Sequence, residues 1–350
     1  MTIPPVSTPA LIVDLDVFDA NVAAMAAMLR GTGKTLRPHV KAHRTSELAK
    51  RQLGGTVGVT CATVGEAEAM VAAGIGDVLV ANEVVDATKL ARIAALARHA
   101  TVSVAADDPA PMEALSREAG RSGVTIGALI DVDILLHRCG VVSVREALAL
   151  AHTIRASPGL RLLGLMGYEG RVRLGTERRS EQIAGAYRAL SDTRAALLEA
   201  GFPVQVVSAA GTSTIREAIA DPTITEIQAG VYALMEPELL VMDLPFRCAA
   251  VVRGTVISRH SDRFVVNVGR RAVGVEYGPP VPVGLEATHI AVSDEHTTVK
   301  VVGPTPPLGS TIDFIPGQIR TTFNVHDRVW ITRAGKLVDC WPVSARGSSQ

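Results

Sequence analysis

The chain has 350 residues, its 35 basic residues balance 35 acidic ones, and hydrophobic residues make up 47% of it. A zero net charge gives no overall field that would attract nucleic acid or an anionic membrane surface, so chemistry on a small molecule fits the composition better. The length exceeds that of one typical core, which predicts a large domain and a smaller one.

The N-terminus and the cysteines predict a cytoplasmic protein. Residues 1–9 lack the basic start and the apolar run of a secretory signal, and no apolar segment of the sequence is long enough to cross a bilayer. The four cysteines are scattered at positions 61, 139, 248 and 340, without the density of a disulfide scaffold or the close spacing of a zinc site. We therefore expect reduced, structural thiols.

Short β-branched apolar runs alternate with helical runs through most of the chain. A strand is predicted over residues 8–16, and residues 17–30 have the apolar spacing of a helix. The strands predicted next are 36–40, 57–61, 78–81, 102–105, 124–131, 160–166, 204–208 and 224–229. Strands that alternate with helices pair in parallel by crossover connections, and eight such units can close into a barrel.

After about residue 245 the pattern changes to short strands rich in Val, Ile and Thr, interrupted by Gly and Pro. We therefore predict an α/β protein: a (β/α)8 TIM-type barrel over residues 21–245, followed by an all-β domain over residues 246–350. The strand within residues 1–20 is expected to join the β-domain.

Lys41 ends the second predicted strand, in the segment 37–43 (Arg-Pro-His-Val-Lys-Ala-His). An ammonium group held partly dry beside Arg37, His39 and Arg44 loses its proton more readily, and only the free amine attacks an aldehyde. On spacing alone, a solvated surface lysine is the more common interpretation.

Two turns that follow late strands predict a phosphate site. The first is 208–214 (Ser-Ala-Ala-Gly-Thr-Ser-Thr), and the second is 228–232 (Gln-Ala-Gly-Val-Tyr). Small residues let backbone amides approach an anion, hydroxyl groups add donors, and a helix N-terminus adds positive potential. Either one alone is more often a simple tight turn, but two turns after adjacent late strands favour a phosphate pocket.

Six segments of the chain follow the order of motifs in a known family. They are 8–11 (Thr-Pro-Ala-Leu), 37–43, 61–68 (Cys-Ala-Thr-Val-Gly-Glu-Ala-Glu), 166–170 (Met-Gly-Tyr-Glu-Gly), 225–230 (Thr-Glu-Ile-Gln-Ala-Gly) and 341–347 (Trp-Pro-Val-Ser-Ala-Arg-Gly). In these segments the chain resembles the D-threonine aldolase and D-serine dehydratase family, whose members are pyridoxal 5'-phosphate (PLP) enzymes of the alanine racemase-like fold.

The resemblance implies PLP as the cofactor, Lys41 as its Schiff-base lysine, and a homodimer with active sites shared between subunits. It implies that Tyr168 lies near the pyridine ring and that Arg138 lies on the ring side of the cofactor. The predicted cofactor-binding residues are thus Lys41, His39, Arg138, Tyr168, Ser208, Gly211, Thr212, Gly230 and Tyr232.

The chain departs from the family where its β-domain carries a divalent-metal pair, His-x-Cys or His-x-Asp. The run that follows this pair is present as residues 321–327 (Thr-Thr-Phe-Asn-Val-His-Asp), but Gln318 and Arg320 occupy the ligand positions. Gln is a poor ligand for first-row metals, and Arg stays protonated. We therefore predict that no metal binds there, and that Arg320 supplies fixed charge for a carboxylate instead.

Loss of the metal changes which reaction is expected. Dehydration suffers most, because hydroxide is a poor leaving group without an acid. Retro-aldol cleavage needs a base for the substrate hydroxyl, and His43, an imidazole that titrates near neutrality, is the predicted base. The predicted catalytic residues are Lys41, His43 and Arg320.

Two smaller differences from the family concern the substrate and the turn 208–214. Arg171 replaces a histidine that often follows the Glu-Gly pair, which favours a substrate with an additional acidic group; Arg171, Gln318 and Arg320 are the predicted substrate contacts. Ala210 stands where the family commonly has a second glycine, and its methyl group is expected to fit. Asp131 and Asp133 are either an acid–base pair or, as we prefer, partners of Arg138.

The sequence leads to three hypotheses. The first is a PLP-dependent lyase that acts on D-3-hydroxy-α-amino acids, with aldolase-type carbon–carbon cleavage preferred and without the divalent metal of the family. The second is a metal-independent PLP enzyme that racemises, deaminates or transaminates a D-amino acid. The third is a non-catalytic PLP-binding protein, against which the full β-domain argues. The expected partner is a small amino-acid substrate rather than nucleic acid or a membrane.

Overall fold

A computed structural model describes residues 6–170, 172 and 177–350. Its helices are α1 (Leu15–Leu29), α2 (Ser46–Gln52), α3 (Val64–Ala72), α4 (Ala87–Leu96), α5 (Pro109–Ser122), α6 (Val144–Ala156), α7 (Arg179–Glu199), α8 (Ile215–Ala220) and α9 (Ile319–Val325). Its strands are β1 (Ala10–Asp14), β2 (Thr35–Leu36), β3 (Val59–Cys61), β4 (Asp77–Val80), β5 (Thr101–Ala106), β6 (Ile126–Asp131), β7 (Leu160–Met166), β8 (Val206–Ala209), β9 (Glu226–Ile227), β10 (Ala250–Arg259), β11 (Arg263–Val266), β12 (Val281–Pro282), β13 (Ala287–Val292), β14 (Thr297–Val301), β15 (Thr311–Ile315), β16 (Arg328–Arg333) and β17 (Lys336–Pro342).

The chain divides into two compact units. The barrel unit contains Leu29–Lys41, Ala49–Gly230 and Ser348–Gln350. The β-rich unit contains the described residues up to Met28, together with Ala42–Leu48 and Val231–Gly347. The chain crosses from one unit to the other directly after Lys41.

The barrel unit is built on a parallel sheet in the order β2-β9-β8-β7-β6-β5-β4-β3. A parallel bridge between His39 and Thr60 joins the two ends of this order, because His39 extends the line of β2 and Thr60 lies in β3. Leu79, Ala105 and Leu129, from successive strands, pack with Met166 in a buried cluster. The predicted (β/α)8 architecture is confirmed.

Four helices of the barrel unit, α3 to α6, begin at residues whose side chains accept from free backbone N–H groups. The hydroxyl of Thr63 accepts from the N–H of Glu66 at the start of α3, and Ser143 accepts from the N–H of Glu146 at the start of α6. The glutamate three residues after each cap is the pattern of a capping box. These caps place the C-terminal ends of the strands, where barrel enzymes carry their chemistry, beside helix N-termini.

The β-rich unit contains a sheet in the order β13-β14-β11-β10-β1-β16-β17, to which β15 and β12 add through β10. The N-terminal strand β1 lies inside this sheet, antiparallel to β10 and parallel to β16. The predicted second, β-rich domain is thus confirmed as part of the fold class, and α9 is a helix within it that the strand pattern did not predict.

The clearest difference from the predicted strands is at residues 36–40. Strand β2 covers only Thr35–Leu36, and Val40–Ala42 form a 3-10 helix. Pro38 has no N–H to donate, so the ladder of hydrogen bonds cannot continue through it, although its carbonyl still accepts from Thr60 at 3.0 Å. The interruption turns the backbone just before Lys41.

Within the described part of the chain, no helix combines the length and the apolar character that a membrane span requires. The cytoplasmic location and the homodimer stay predictions.

Candidate functional site

Lys41 lies in the 3-10 helix that follows β2, and its Nζ atom lies 5.3 Å from the centroid of the Tyr168 ring. Tyr168 comes two residues after the end of β7. Both side chains are half-buried. An ammonium at this distance from an aromatic ring is within range of a cation–π interaction, so the predicted Schiff-base lysine and the predicted ring-side tyrosine meet in the barrel unit.

The turn after β8 lies against the same tyrosine. A Cβ atom added at Gly211 would lie 3.5 Å from Cε2 of Tyr168 and 3.6 Å from its hydroxyl oxygen. Thr212, which is 5% exposed, begins the 3-10 helix Thr212–Thr214. Backbone N–H groups at the start of such a turn suit an anion. The turn, Tyr168 and Lys41 therefore form a setting that fits a ligand with an aldehyde, an aromatic ring and a phosphate.

Ala210 adopts a backbone conformation that its side chain disfavours. Its φ is +71°, in the left-handed region where a Cβ atom crowds the following carbonyl. The expectation that a methyl group simply fits this turn is therefore wrong: the methyl fits at the expense of backbone strain, which a glycine would not have.

His39 and Gly230 shape the segment that leads into Lys41. A Cβ atom at Gly230 would lie 2.2 Å from the carbonyl oxygen of His39, so the close approach of the two backbones requires glycine. Nδ1 of His39 accepts from the backbone N–H of Lys41 at 3.5 Å, and the histidine is 7% exposed. Both residues hold the backbone around Lys41; their contacts with a cofactor stay predictions.

The hydroxyl of Ser208, predicted to contact phosphate, forms hydrogen bonds with two other side chains. It donates to Oε1 of Glu226 at 2.7 Å and accepts from Nε2 of Gln228 at 2.9 Å. The residue is fully buried. Because the hydroxyl is engaged between neighbouring strands, its position does not support the phosphate contact predicted for Ser208.

Arg37 is neutralised by two carboxylates. Its Nε atom lies 3.0 Å from Oε2 of Glu226, and its Nη1 atom lies 2.6 Å from Oδ1 of Asp77. Burial opposes the charged guanidinium, but the two carboxylates outweigh it and raise the pKa of Arg37 above its usual value. The argument that Arg37 makes Lys41 more acidic is therefore weakened, since its charge is compensated.

Arg138 and Tyr168 line one small cavity of about 10 Å³, together with residues of the segment after β6. The full lining is Asp131, Val132, Asp133, Leu136, Arg138, Cys139 and Tyr168. The structure thus brings the predicted ring-side arginine to the predicted ring-side tyrosine.

Asp131 forms a carboxyl pair, but with Glu83 rather than with Asp133. Burial and the adjacent Glu83 carboxyl, which shares a hydrogen bond with it, raise the pKa of Asp131 to about 8. Asp133 instead accepts from the backbone N–H of His137 at 2.9 Å. The predicted pairing of both aspartates with Arg138 is therefore incomplete: the Arg138 charge acts on Asp131 only as a minor influence that lowers its pKa.

His43 lies in the β-rich unit and is fully buried. Its Nδ1 atom accepts from the backbone N–H of Thr45 at 3.1 Å, and its ring meets the Phe323 ring edge-on at a centroid distance of 6.5 Å. A neutral imidazole whose Nδ1 accepts carries its proton on Nε2 and has no second lone pair to offer. The geometry therefore argues against the base role predicted for His43.

Gln318 and Arg320 lie at the start of α9 in the β-rich unit. Oε1 of Gln318 accepts from the hydroxyl of Thr321 at 2.7 Å. The Nη2 atom of Arg320 lies 3.8 Å from Oε1 of Glu236, which is fully buried, and the guanidinium carbon lies 5.3 Å from the centroid of the Tyr277 ring. A guanidinium offers no lone pair and repels a cation, so the residues present do not fit a divalent metal here.

Two further predicted residues cannot be related to this arrangement. Tyr232, predicted to contact phosphate, belongs to the β-rich unit, where it is fully buried and its ring lies 5.4 Å from that of Phe246. Arg171, predicted to contact the substrate, lies outside the described residues.

The predicted site residues leave out four acidic or hydroxyl residues that contact predicted members of the candidate site or its turn. Glu169 and Thr214 tie the turn after β8 to the end of β7, Glu226 binds Arg37, and Glu236 faces Arg320. Glu169 and Glu226 stand inside segments that carried the family resemblance, which was an available signal. Thr214 is the last residue of the predicted phosphate turn, whereas Glu236, which precedes the 3-10 helix Pro237–Met242, had no signal.

Two family models match the chain. The model described as the N-terminal domain of alanine racemase matches residues 13–236, and the model described as a putative serine dehydratase domain matches residues 249–332.

Similar proteins extend over nearly the whole chain. A D-threonine aldolase of Arthrobacter sp. is 36% identical over 99% of this chain and 94% of its own length. A 3-hydroxy-D-aspartate aldolase of Paracoccus denitrificans is 32% identical over 98% of this chain and 92% of its own. The crystal structure of a D-threonine aldolase from Filomicrobium marinum superposes with a TM-score of 0.95 at 35% identity, covering 99% of this chain and 97% of that one.

Proposed function

The chain belongs to the D-threonine aldolase and D-serine dehydratase family, and we propose that it is a PLP-dependent lyase that cleaves D-3-hydroxy-α-amino acids. The observation that carries this proposal is the meeting of Lys41, Tyr168 and the Gly211 turn at the C-terminal ends of barrel strands. The similarity to two aldolases over almost the full chain supports carbon–carbon cleavage as the reaction.

PLP fits the residues that the barrel unit brings together. We assign its covalent attachment to Nζ of Lys41, its phosphate to the turn at Gly211 and Thr212, and its ring to the neighbourhood of Tyr168 and Arg138. Bound there, PLP would supply an electron-withdrawing group that weakens the bonds at the α-carbon of an amino acid. The resemblance implies further phosphate contacts from Gly230 and Tyr232.

The residues of the chain then have separable tasks. Nζ of Lys41 is the atom at which we place the proton that is removed from or returned to the substrate. The Tyr168 ring lies 5.3 Å from Nζ and orients the side chain of Lys41 when the amine is protonated. The pairing of Arg37 with Glu226 and Asp77 fixes the segment that ends at Lys41.

Carbon–carbon cleavage also requires a base for the 3-hydroxyl group, and His43 is poorly suited because its Nδ1 atom is engaged. This observation favours a second candidate function on the same cofactor. In it, Lys41 alone transfers the α-proton of a D-amino acid, which leads to racemisation, deamination or transamination.

We also propose that the reaction needs no divalent metal. The support is chemical: Arg320 cannot ligate, and its positive charge beside Glu236 occupies the position where the resemblance expects a ligand. Fixed charge of this kind suits the carboxylate of a substrate.

Product analysis distinguishes the candidates. The purified, PLP-loaded protein is incubated with D-threonine, D-serine and D-3-hydroxyaspartate, and the products are analysed for glycine with aldehyde, for keto acid and for epimer. Glycine and an aldehyde support the lyase; an epimer or keto acid without glycine supports the second candidate. Bound PLP with no product from any of the three substrates would support the non-catalytic alternative.

Reductive labelling tests the site itself. Borohydride treatment of the PLP-loaded protein should fix the cofactor on the peptide that contains Lys41, and Lys41→Ala should abolish the label. Lys34→Ala is a matched control, because Nζ of Lys34 donates to the carbonyl oxygens of Asp221 and Ile224 instead. Labelling of another lysine would overturn the assignment.

A homodimer in the cytoplasm is part of the same proposal. The homodimer is supported by the family resemblance, and the location by the scattered cysteines, all of which are free thiols. Size-exclusion chromatography with light scattering would measure the mass of the oligomer and so test the homodimer. Cell fractionation would test the cytoplasmic location.

A further inference from the structure

Glu169 connects two parts of the candidate site. It directly follows Tyr168, and its Oε1 atom accepts from the hydroxyl of Thr214 and, at 3.4 Å, from the backbone N–H of Gly211. The same threonine hydroxyl accepts from Gly211 at 3.1 Å. The end of β7, which carries Tyr168, is thus bonded to the turn after β8.

The carboxyl group of Glu169 is buried, and in the described part of the chain no positively charged side chain is bonded to it. The residue is 2% exposed, and among residues 6–170, 172 and 177–350 its Oε2 atom has no hydrogen-bond partner. Burial raises the pKa of Glu169, and hydrogen bonds from Thr214 and from backbone N–H groups only partly oppose this. A buried carboxylate with one unsatisfied oxygen is costly, and the protonated acid costs less because it carries no charge to desolvate.

The ionisable groups that the structure describes near Glu169 do not add a free positive charge. Tyr187, from α7, is buried, and the pKa of its phenol is raised by burial and by Glu169. Arg179 reaches the same turn at the carbonyl of Ser213, but its guanidinium is paired with Glu217 of α8. Glu217 and Asp221 add negative rather than positive potential near Tyr187.

We propose that Glu169 is a positioning residue that, as an uncharged acid, holds the 209–214 turn against Tyr168 so that the turn can receive a phosphate group. This rests on the proposed function, which places the cofactor phosphate at that turn. A phosphate dianion beside a charged Glu169 would be repelled, whereas a neutral acid keeps the bonds to Thr214 and Gly211 without adding negative charge. Glu169 therefore acts through the turn and does not itself touch the cofactor.

The test compares Glu169→Gln with Glu169→Ala, using PLP affinity and spectrum as readouts. Glutamine reproduces the shape and hydrogen bonding of the protonated acid, so we expect its PLP dissociation constant within about threefold of the natural value. Alanine frees the turn, and we expect affinity to fall about tenfold or more, the loss that corresponds to one or two hydrogen bonds. Affinity is measured by titrating PLP into apoprotein and following the absorbance of the bound cofactor.

A second pair of variants keeps the test open if Glu169→Ala does not fold. Thr214→Val removes the hydroxyl that bonds Glu169 and should weaken PLP binding about threefold to tenfold. Thr193→Val is the matched control: Thr193 is also buried, but its hydroxyl donates to the carbonyl of Ala189 within α7, so PLP affinity should not change.

Several outcomes would overturn the inference while leaving the proposed function intact. If Lys41 is labelled by PLP, but Glu169→Ala and Thr214→Val lower only the melting temperature and not the PLP affinity, the role of Glu169 is merely structural. If Glu169→Gln binds PLP as weakly as Glu169→Ala, PLP binding requires a charged carboxylate, and the proposal that Glu169 is uncharged is wrong. If the natural chain does not bind PLP at Lys41, the proposed function itself fails.

Discussion

The backbone N–H of Thr45 donates to Nδ1 of His43 at 3.1 Å, inside a fully buried part of the β-rich unit. A neutral imidazole that accepts at Nδ1 carries its proton on Nε2. In this tautomer the lone pair of the ring is used by the backbone N–H of Thr45. We therefore propose that His43 supports the local backbone, whereas Lys41, its near neighbour in the chain, carries the chemistry.

We predict that His43→Asn keeps catalysis largely intact. The Oδ1 atom of asparagine can accept from Thr45 as Nδ1 does, so turnover should fall less than about tenfold and the pH–rate profile should keep its shape. Loss of a general base would instead cost roughly a hundredfold or more and remove one limb of the profile. The measurement is the pH dependence of kcat for the natural chain and the variant.

His43→Ala is the matched comparison, because it removes the hydrogen-bond acceptor as well as the ring. It should lower stability by about 2–4 kcal/mol, since it leaves a buried N–H of Thr45 unpaired and a cavity beside Phe323. A variant series in which asparagine and alanine are equally inactive but equally stable would contradict this account.

We predict that Ala210→Gly stabilises the protein. Relief of the left-handed conformation at Ala210 is worth about 1–2 kcal/mol, and the greater flexibility of glycine in the unfolded chain offsets part of it. The net gain of roughly 1 kcal/mol corresponds to a rise in the melting temperature of about 2 °C for a chain of this size.

The neighbouring alanine provides the control for Ala210→Gly. Ala209 is the last residue of β8 and is 1% exposed, so Ala209→Gly removes buried contact and adds flexibility without relieving strain. It should lower the melting temperature. If both glycine variants shifted the melting temperature in the same direction, the strain argument for Ala210 would be wrong.

We predict that Asp131 makes stability depend on pH between about 4 and 8. Its pKa is raised in the folded chain to about 8 by burial and by Glu83, whereas an unfolded aspartate titrates near 3.9. The folded state therefore binds more protons across this window, so the free energy of unfolding falls as pH rises, by up to about 1.4 kcal/mol per pH unit.

Asp131→Asn should flatten this dependence, because asparagine keeps a hydrogen-bond donor for Glu83 but does not ionise. The measurement is the melting temperature of both proteins from pH 5 to pH 9. Asp133→Asn is the control, since the Asp133 carboxylate accepts from the backbone of His137 rather than meeting Glu83. An Asp131→Asn curve parallel to that of the natural chain would show that Asp131 does not carry the effect.

The sequence predicts those features of the site that depend on residues close together in the chain, and it does not predict contacts between residues far apart in the chain. Apolar spacing is local, and it was enough to predict the alternating strands and helices and the position of Tyr168 beyond the end of β7. The bond between Glu169 and Thr214 spans 45 positions, and the bond between Arg37 and Glu226 spans 189. No spacing rule connects such residues, because the closed order of the barrel sheet brings them together.

The sequence also could not predict the backbone conformation of Ala210 or the hydrogen-bond partners of Ser208. The sequence predicts no strain from the methyl group of Ala210, but its positive φ shows strain. The sequence predicts Ser208 as a phosphate contact, but its hydroxyl donates to Glu226. In both cases the residue type was compatible with the prediction, and the backbone geometry decided the outcome.

The place of Arg320 beside Glu236 leads to a prediction about metals. Addition of a chelator should leave activity unchanged, and Mn²⁺ should not raise the melting temperature of the natural chain, because a guanidinium lies where a ligand would be needed. The double variant Gln318→His and Arg320→Asp should respond to Mn²⁺. Its two new side chains are potential ligands, and the change at position 320 removes the guanidinium charge that lies 3.8 Å from the buried carboxylate of Glu236.

The expected response is a melting temperature that falls in the metal-free double variant and recovers when Mn²⁺ is added. At a Mn²⁺ concentration one hundred times the dissociation constant, binding contributes about 2.7 kcal/mol of stability. Gln318→His alone is the control: Arg320 remains in place and repels a cation, so this variant should show no response. If the natural chain loses activity with a chelator and regains it with Mn²⁺, then a metal binds despite Arg320, and the assignment of this guanidinium to a substrate carboxylate must be abandoned.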